Sequence, residues 1–357
     1  VYTHTSDEAE RAKLYHQIDS ISYAASDYFI PNEYDKLMSI IGAQGTNAYT
    51  STDMTVYVED IPSNQIENWA RIEADRFMNP VIRGFHTELE TVYEEKNMSL
   101  TRDFRKALET MDGMLFPDHP YGTQTVLGTQ EHLKNPSITN IKNYHKTYYV
   151  PNNMAICLSG DFDPDEMLAI IEKYFGQMEP NKDLPELKFE TASVIESPMS
   201  KDVYGLDAEN IMIGWKYPGA GTHEAMVADV VSYILSNGSA GLIDLNLNQQ
   251  QKVLGAQAMS YTRPDAGEFI IMANPKHGQS LDEVKDLILA EIAKLRSGDF
   301  DESLLTGTIN NLKLQMMNLM EENSDRADLY VQSFINGTDW ADEVKRIDNL
   351  GKISKQD

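Results

Sequence analysis

The chain has one cysteine, Cys157, in 357 residues. A lone thiol excludes an internal disulfide and a cysteine-rich metal site. Inside MAICLSG it reads as a small buried strand residue, and it does not fix a compartment. Long apolar runs are also missing: none approaches the roughly 20 residues of a membrane-spanning helix. Positive charge is scarce. Thirty Lys and Arg against 56 Asp and Glu leave a formal charge of −26. That argues against a nucleic-acid partner, because phosphate binding needs clustered cations. It suits a chain that favours basic ligands. The eight histidines stand at 4, 16, 86, 119, 132, 145, 223 and 277, with no two four apart. HExxH and HxxEH are therefore both absent, and no helix offers two imidazoles on one face to a zinc ion. There is no GxSxG elbow, since Gly238 and Gly241 are one residue too close. Phosphate-loop and dinucleotide glycine patterns are absent too. The sequence opens VYTHTSDE without Met or an apolar leader, so any targeting segment is expected to be cleaved or to lie outside it.

What is present is a globular composition, 41% hydrophobic and 24% charged, with length for two domains of ordinary size. Residues 6 to about 27 carry Leu14, Ile18 and Ile21 at helical spacing behind a Thr5–Glu8 capping pattern. A second helix, NEYDKLMSIIGA, ends at Gly42 or Gly45. Strands follow at 47–51 and 54–59, with Ser51–Asp53 as the turn. Pro62–Asn64 opens a helix whose stripe is Ile66, Trp69, Ala70 and Phe77, and Asn79–Pro80 ends it. The next helix is expected to run from Phe85 to about Met114. Residues 116–128 read as a loop, 137–149 as a helix and 153–160 as a short buried strand. Asp163–Glu166 starts another helix with proline in the first turn. Residues 178–200 lose periodicity, so the division expected is a first domain over 1–180, a linker over 181–200 and a second domain over 201–357.

The organising stretch is Gly42–Asn97: strand, strand, helix, helix. The same order recurs from Gly255 in LGAQAMSYTRPDAGEFIIMANP and the two helices after it, at an offset of 255 − 42 = 213 at the Gly–Ala pair and 300 − 85 = 215 at Phe85 and Phe300. Such a repeat points to a duplicated domain. In this alignment Glu88 meets Ser303 and Glu95 meets Asn310. Seven residues are nearly two helical turns, so Glu88 and Glu95 share one helix face with Val92 between them. On spacing alone the pair is either a solvated acidic face or a ligand pair, one carboxylate binding a metal and the other tuning it.

The order NEYDKL, GAQGTNAYTS, TVYVEDIP, EADRFMNP and ELETVYEE resembles the pitrilysin–insulysin family of zinc peptidases, whose metal motif is an inverted HxxEH. HPYGTQTVLGT and YYVPNNMAICLSGDFDP are similar to that family's first domain. The resemblance covers nearly the whole chain, more strongly in its first half. It implies an α+β fold of two homologous domains, each a mostly antiparallel sheet with helices on one face. It implies that Glu95 is the distal zinc ligand and Glu88 the supporting carboxylate seven residues before it. Asn47 and Ala48 match the edge-strand residues beside which a peptide substrate pairs as an added strand.

Two departures accompany the resemblance. HxxEH, expected ahead of the helix near Asn32, is absent, so the chain is expected to begin just after its zinc-binding helix. The substrate-holding Arg and Tyr of the family's later half are replaced near Gln249 and Ala256. The resemblance thus implies a fragment of a zinc-dependent metalloendopeptidase, inactive by itself, that acts on peptides or unfolded segments through metal-activated water. The alternative is a non-catalytic homologue serving as scaffold or partner subunit. A third reading is an acidic peptide-binding module without hydrolysis. Zinc is expected of the full-length protein; the partners expected are a peptide substrate and the remaining domains or a second subunit. A periplasmic or envelope location follows by analogy alone.

Overall fold

The computed structural model describes residues 5–28, 30, 32–134, 137–189 and 194–357. Residues 190–193 of the expected linker, His4 and the His86 side chain lie outside the described set. Helix α1 (Glu8–Ser26) starts where Asp7 accepts from the N–H groups of Ala9 and Glu10. Thr5, the cap expected from sequence, stands too early and accepts from Asp7 N–H instead. α1 buries no residue, whereas α2 (Glu33–Ile40) buries Met38. Gly42 then turns the chain at φ +83°, where a side chain would press on the Pro62 ring at 3.2 Å.

Strands β1 (Gln44–Thr50) and β2 (Thr55–Asp60) pair antiparallel. α3 (Ile66–Met78) buries Ala70 and Ala74 and stops at Asn79, ahead of Pro80. The single helix expected from 85 to about 114 is two: α4 (Phe85–Leu100) and α5 (Asp103–Leu115). The Thr101 hydroxyl bonds back to the Met98 carbonyl and Arg102 is extended. The Asp103 carboxylate is committed to the N–H groups of Leu206 and Asp207, about a hundred residues on. That tertiary commitment fixes where the second helix starts.

The loop expected at 116–128 contains one helical turn, α6 (Pro120–Thr123), capped by His119 Nδ1 accepting from Tyr121 N–H. α7 (Gln130–Lys134), α8 (Ile138–Tyr148) and α9 (Pro164–Phe175) follow. The strand expected at 153–160 does not form among the described residues, and Cys157 is half-buried outside any ladder.

The second half holds β3 (Ile211–Pro218), α10 (His223–Leu235), β4 (Gly255–Thr262), β5 (Ala266–Asn274), α11 (Leu281–Ser297), α12 (Glu302–Leu319), α13 (Asn323–Ile335) and α14 (Trp340–Leu350). The order β1–β2–α3–α4 thus recurs as β4–β5–α11–α12. The sheet runs β3–β5–β4, antiparallel throughout. One face sends Ala256, Phe269, Ile271 and Ala273 into the main core with Val230, Leu235, Val284, Ile288 and Leu305. Its own helices therefore cover one face, as an α+β domain requires. The opposite face is covered too, by α5 from the first half. Gly214 allows the approach: a Cβ there would meet Met111 Sδ at 2.7 Å. Leu115, Phe116, Tyr121 and Ala266 close this seam as a second, smaller core.

Candidate functional site

Strand β1 presents an open edge. Ser51 N–H donates to the Met54 carbonyl at 2.9 Å and closes the turn to β2. Antiparallel bonding alternates from that pair. Tyr49/Val56 and Asn47/Val58 therefore face each other across the ladder, while Ala48 and Thr50 turn their N–H and C=O groups to the outer edge. Every residue of β1 is exposed, and among the described strands β2 alone pairs with it. The Asn47 side-chain oxygen folds over the edge and accepts from Ala48 N–H at 2.8 Å. The register also breaks between Gln44 and Asn47, which marks an irregularity at this point. Of the two residues singled out from sequence, Ala48 turns its backbone to the open edge, and Asn47, whose backbone faces β2, reaches that edge through its side chain.

The hairpin is braced from behind by contacts with α2 and α3. Tyr57 packs edge-on to Phe77 of α3 at 5.3 Å, and the Arg76 guanidinium lies over Tyr34 and Tyr57 at 4.1 and 4.6 Å. Glu59 accepts from the Tyr34 hydroxyl and the Trp69 indole N–H. Glu73, buried and 3.0 Å from Arg76, has its pKa raised by desolvation and by Glu59. The Tyr49 hydroxyl donates to Asp328 at 3.0 Å, tying β1 to α13 of the second half. Desolvation and that carboxylate push the phenol up to about 12.

Glu88 and Glu95 lie on α4 as the spacing predicts, both exposed and without a partner among the described side chains. Their neighbour Lys96 is instead buried, 3.7 Å from Glu109. The packing of α4 is against α5 and α7, with Gln130 donating to Asn97 at 2.7 Å. The packing of β1 is against α2 and β2. The donors present do not fit a zinc ion: among the described residues no three His, Cys, Asp or Glu side chains stand together as a metal-binding group. One solvent-facing carboxylate is not a tetrahedral N/S/O site. Gln249 and Ala256 are occupied structurally, Gln249 donating to the Ser239 carbonyl and Ala256 N–H to Asn248, each at 2.8 Å.

Sequence reasoning passed over the ionisable groups in the seam between the halves, Asp112, Arg263 and Glu268. They come from α5 and from the β4–β5 hairpin, 151 residues apart in sequence at the Asp112–Arg263 contact, and no local spacing announces them.

The family model described as the peptidase M16 inactive domain matches residues 137–312. The zinc protease PqqE of Helicobacter pylori is 23% identical over 352 residues, covering 92% of this chain and 77% of that protein. The probable mitochondrial-processing peptidase subunit beta of Schizosaccharomyces pombe is 24% identical over 268 residues, 70% of this chain and 57% of its own length. The crystal structure of a protease from Helicobacter pylori superposes with a TM-score of 0.80 at 20% identity, covering 91% of this chain and 79% of that one. The motifs, the repeated strand–strand–helix–helix order and these matches agree, and the chain is similar to the M16 peptidases, the pitrilysin–insulysin family, and shares their fold.

Proposed function

We propose that this chain is the peptide-handling part of an M16 zinc endopeptidase. An extended substrate segment adds to the outer edge of β1, bonding the Ala48 N–H and C=O groups after displacing the Asn47 side chain. The observation that carries this reading is the open edge itself: a fully exposed strand whose outward N–H is satisfied by a neighbouring side chain rather than by a strand. Main-chain bonding of this kind accepts many sequences, which suits peptides and unfolded segments. The chain's charge of −26 favours basic ones. Hydrolysis is assigned to a zinc centre whose histidine pair this sequence does not hold.

The test is binding of a fluorescein-labelled unstructured basic peptide, read by anisotropy. Ala48→Pro removes the outward N–H without removing a bond to β2, because an edge strand tolerates proline facing out. The expected result is about a tenfold loss of affinity, the ~1.4 kcal/mol of one or two hydrogen bonds, with circular dichroism unchanged. Binding equal to wild type would sink the edge-addition reading.

A second reading rests on the asymmetry between the repeats, Glu88 and Glu95 against Ser303 and Asn310. In it Glu95 completes a zinc site whose histidines come from another polypeptide or domain, with Glu88 in support. The relative named as a processing-peptidase subunit is the precedent for a divided machine. The expectation is that this chain alone takes up no stoichiometric zinc. In the assembly, Glu95→Gln lowers the zinc content measured by mass spectrometry. An assembly that keeps full zinc with Glu95→Gln would remove Glu95 from the site.

A further inference from the structure

We propose that the seam between α5 and the β3–β5–β4 sheet is a proton-operated latch between the two halves, in which the single Arg263 guanidinium is shared by one carboxyl group from each half, Asp112 and Glu268. Arg263 stands just after β4. Its Nη1 and Nη2 lie 3.3 Å from Asp112 Oδ1, and Nη2 lies 3.6 Å from Glu268 Oε1. Its Cζ sits 4.8 and 4.1 Å from the rings of Phe116 and Tyr121, which belong to the first half, and 5.4 Å from Tyr261 of β4. Arg263 is 4% exposed and Glu268 2%. Two polar atoms here are buried and unbonded, Arg263 Nε and Glu268 Oε2.

The charge count makes this arrangement conditional. With both carboxyl groups ionised, the one guanidinium in contact with them faces two anions in a largely buried seam. With one proton on Glu268 its charge is removed, and the remaining pair, Asp112 with Arg263, is balanced. Burial, with Asp112 beside it, pushes Glu268 up to about 7, while burial raises Asp112 against the pull of Arg263. The other groups facing the site are Arg105 from α5, Tyr261 from β4, and Lys216 and Tyr217 from β3. Lys216 is the register partner of Glu268 and also feels Asp118. Farther along the seam Asp265 meets His119 Nε2 at 3.2 Å, and Asp53 accepts from the Tyr121 hydroxyl at 3.2 Å.

The direction follows from linkage. Glu268 binds its proton more tightly when the seam is closed than when it is open, so the closed state is favoured at low pH. That preference is lost as pH rises from the ordinary carboxylate range through about 7.

The experiment is a distance measurement between the halves in the full chain. Spin labels are placed on cysteines introduced at exposed Glu90 and Val344, with Cys157→Ser. From about pH 5 to about pH 8 the wild-type background is expected to shift from one narrow distance distribution to a broader one. Glu268→Gln, which keeps the neutral form at every pH, is expected to lose that shift and stay narrow. Asp112→Asn, which leaves one carboxylate for one guanidinium, is expected to lose it too, and it keeps the test decisive if the glutamine variant folds poorly. A wild-type distribution that does not change over this range overturns the latch. So does a folded variant of either kind that opens with the wild-type pH profile.

Discussion

At the residue scale, burial separates the acids that hold the structure together from those free for chemistry. Glu88 and Glu95 are exposed and without a partner among the described side chains. Their replacement by glutamine is therefore expected to leave unfolding free energy within about 0.5 kcal/mol of wild type, as for surface sites generally. Urea unfolding checks this, and a larger loss would make the pair structural. Ile271 is the contrast. It is wholly buried at the centre of the sheet, and Ile271→Ala is expected to cost about 2–5 kcal/mol. The spacing of Glu88 and Glu95 was readable without coordinates, because seven residues on a helix fix a shared face. Their freedom from partners was not, because a partner can come from anywhere in the chain.

At the scale of elements, the local signals that succeeded are those whose physics is local. Asp163–Pro164 starts α9, Ser137 caps α8, and Gly42 turns out of α2. The misplaced boundaries have distant causes. The break between α4 and α5 is fixed by Asp103 holding the backbone at Leu206 and Asp207. The strand expected at 153–160 had the right residue types but found no partner edge among the described residues. The packing of α5 on the sheet likewise depends on one distant residue. Gly214→Val would drive a side chain into Met111 and is expected to cost about 1–3 kcal/mol through overpacking. Thermal melting measures the loss, and faster proteolysis near residues 201–207 would report the loosened seam. A melting point equal to wild type would show that α5 can shift without cost.

At the scale of the molecule, the two halves meet through a partly ionisable seam, so stability should depend on pH in a defined way. Glu268 has a folded pKa raised above its value in the unfolded chain. Its contribution is complete below the ordinary carboxylate range and declines as pH rises through about 7. Asp357, held down to about 2 by the Ser354 N–H and hydroxyl, acts oppositely, and its contribution is already complete above the carboxylate range. Denaturant titrations are therefore expected to show wild type less stable near pH 8 than near pH 5, with the difference reduced in Glu268→Gln. An equal difference in both proteins would place the pH dependence elsewhere.

The sequence by itself determined the helices and turns with local punctuation, the duplicated strand–strand–helix–helix order, the M16 motifs, and the asymmetry that leaves two acids in one repeat only. Those features depend on residues a few positions apart, or on order along the chain. Only the tertiary structure decided which edge of β1 is open, that Asn47 covers the N–H of Ala48, that α5 lies on the far face of the second sheet, and that Asp112, Arg263 and Glu268 meet. The packing of α5 and the meeting of Asp112 with Arg263 depend on segments brought together across more than a hundred residues, whereas the state of the β1 edge depends on which strands are left without a neighbour. Burial is what gives a shared guanidinium its energetic weight, and burial is set by the packing of the whole chain.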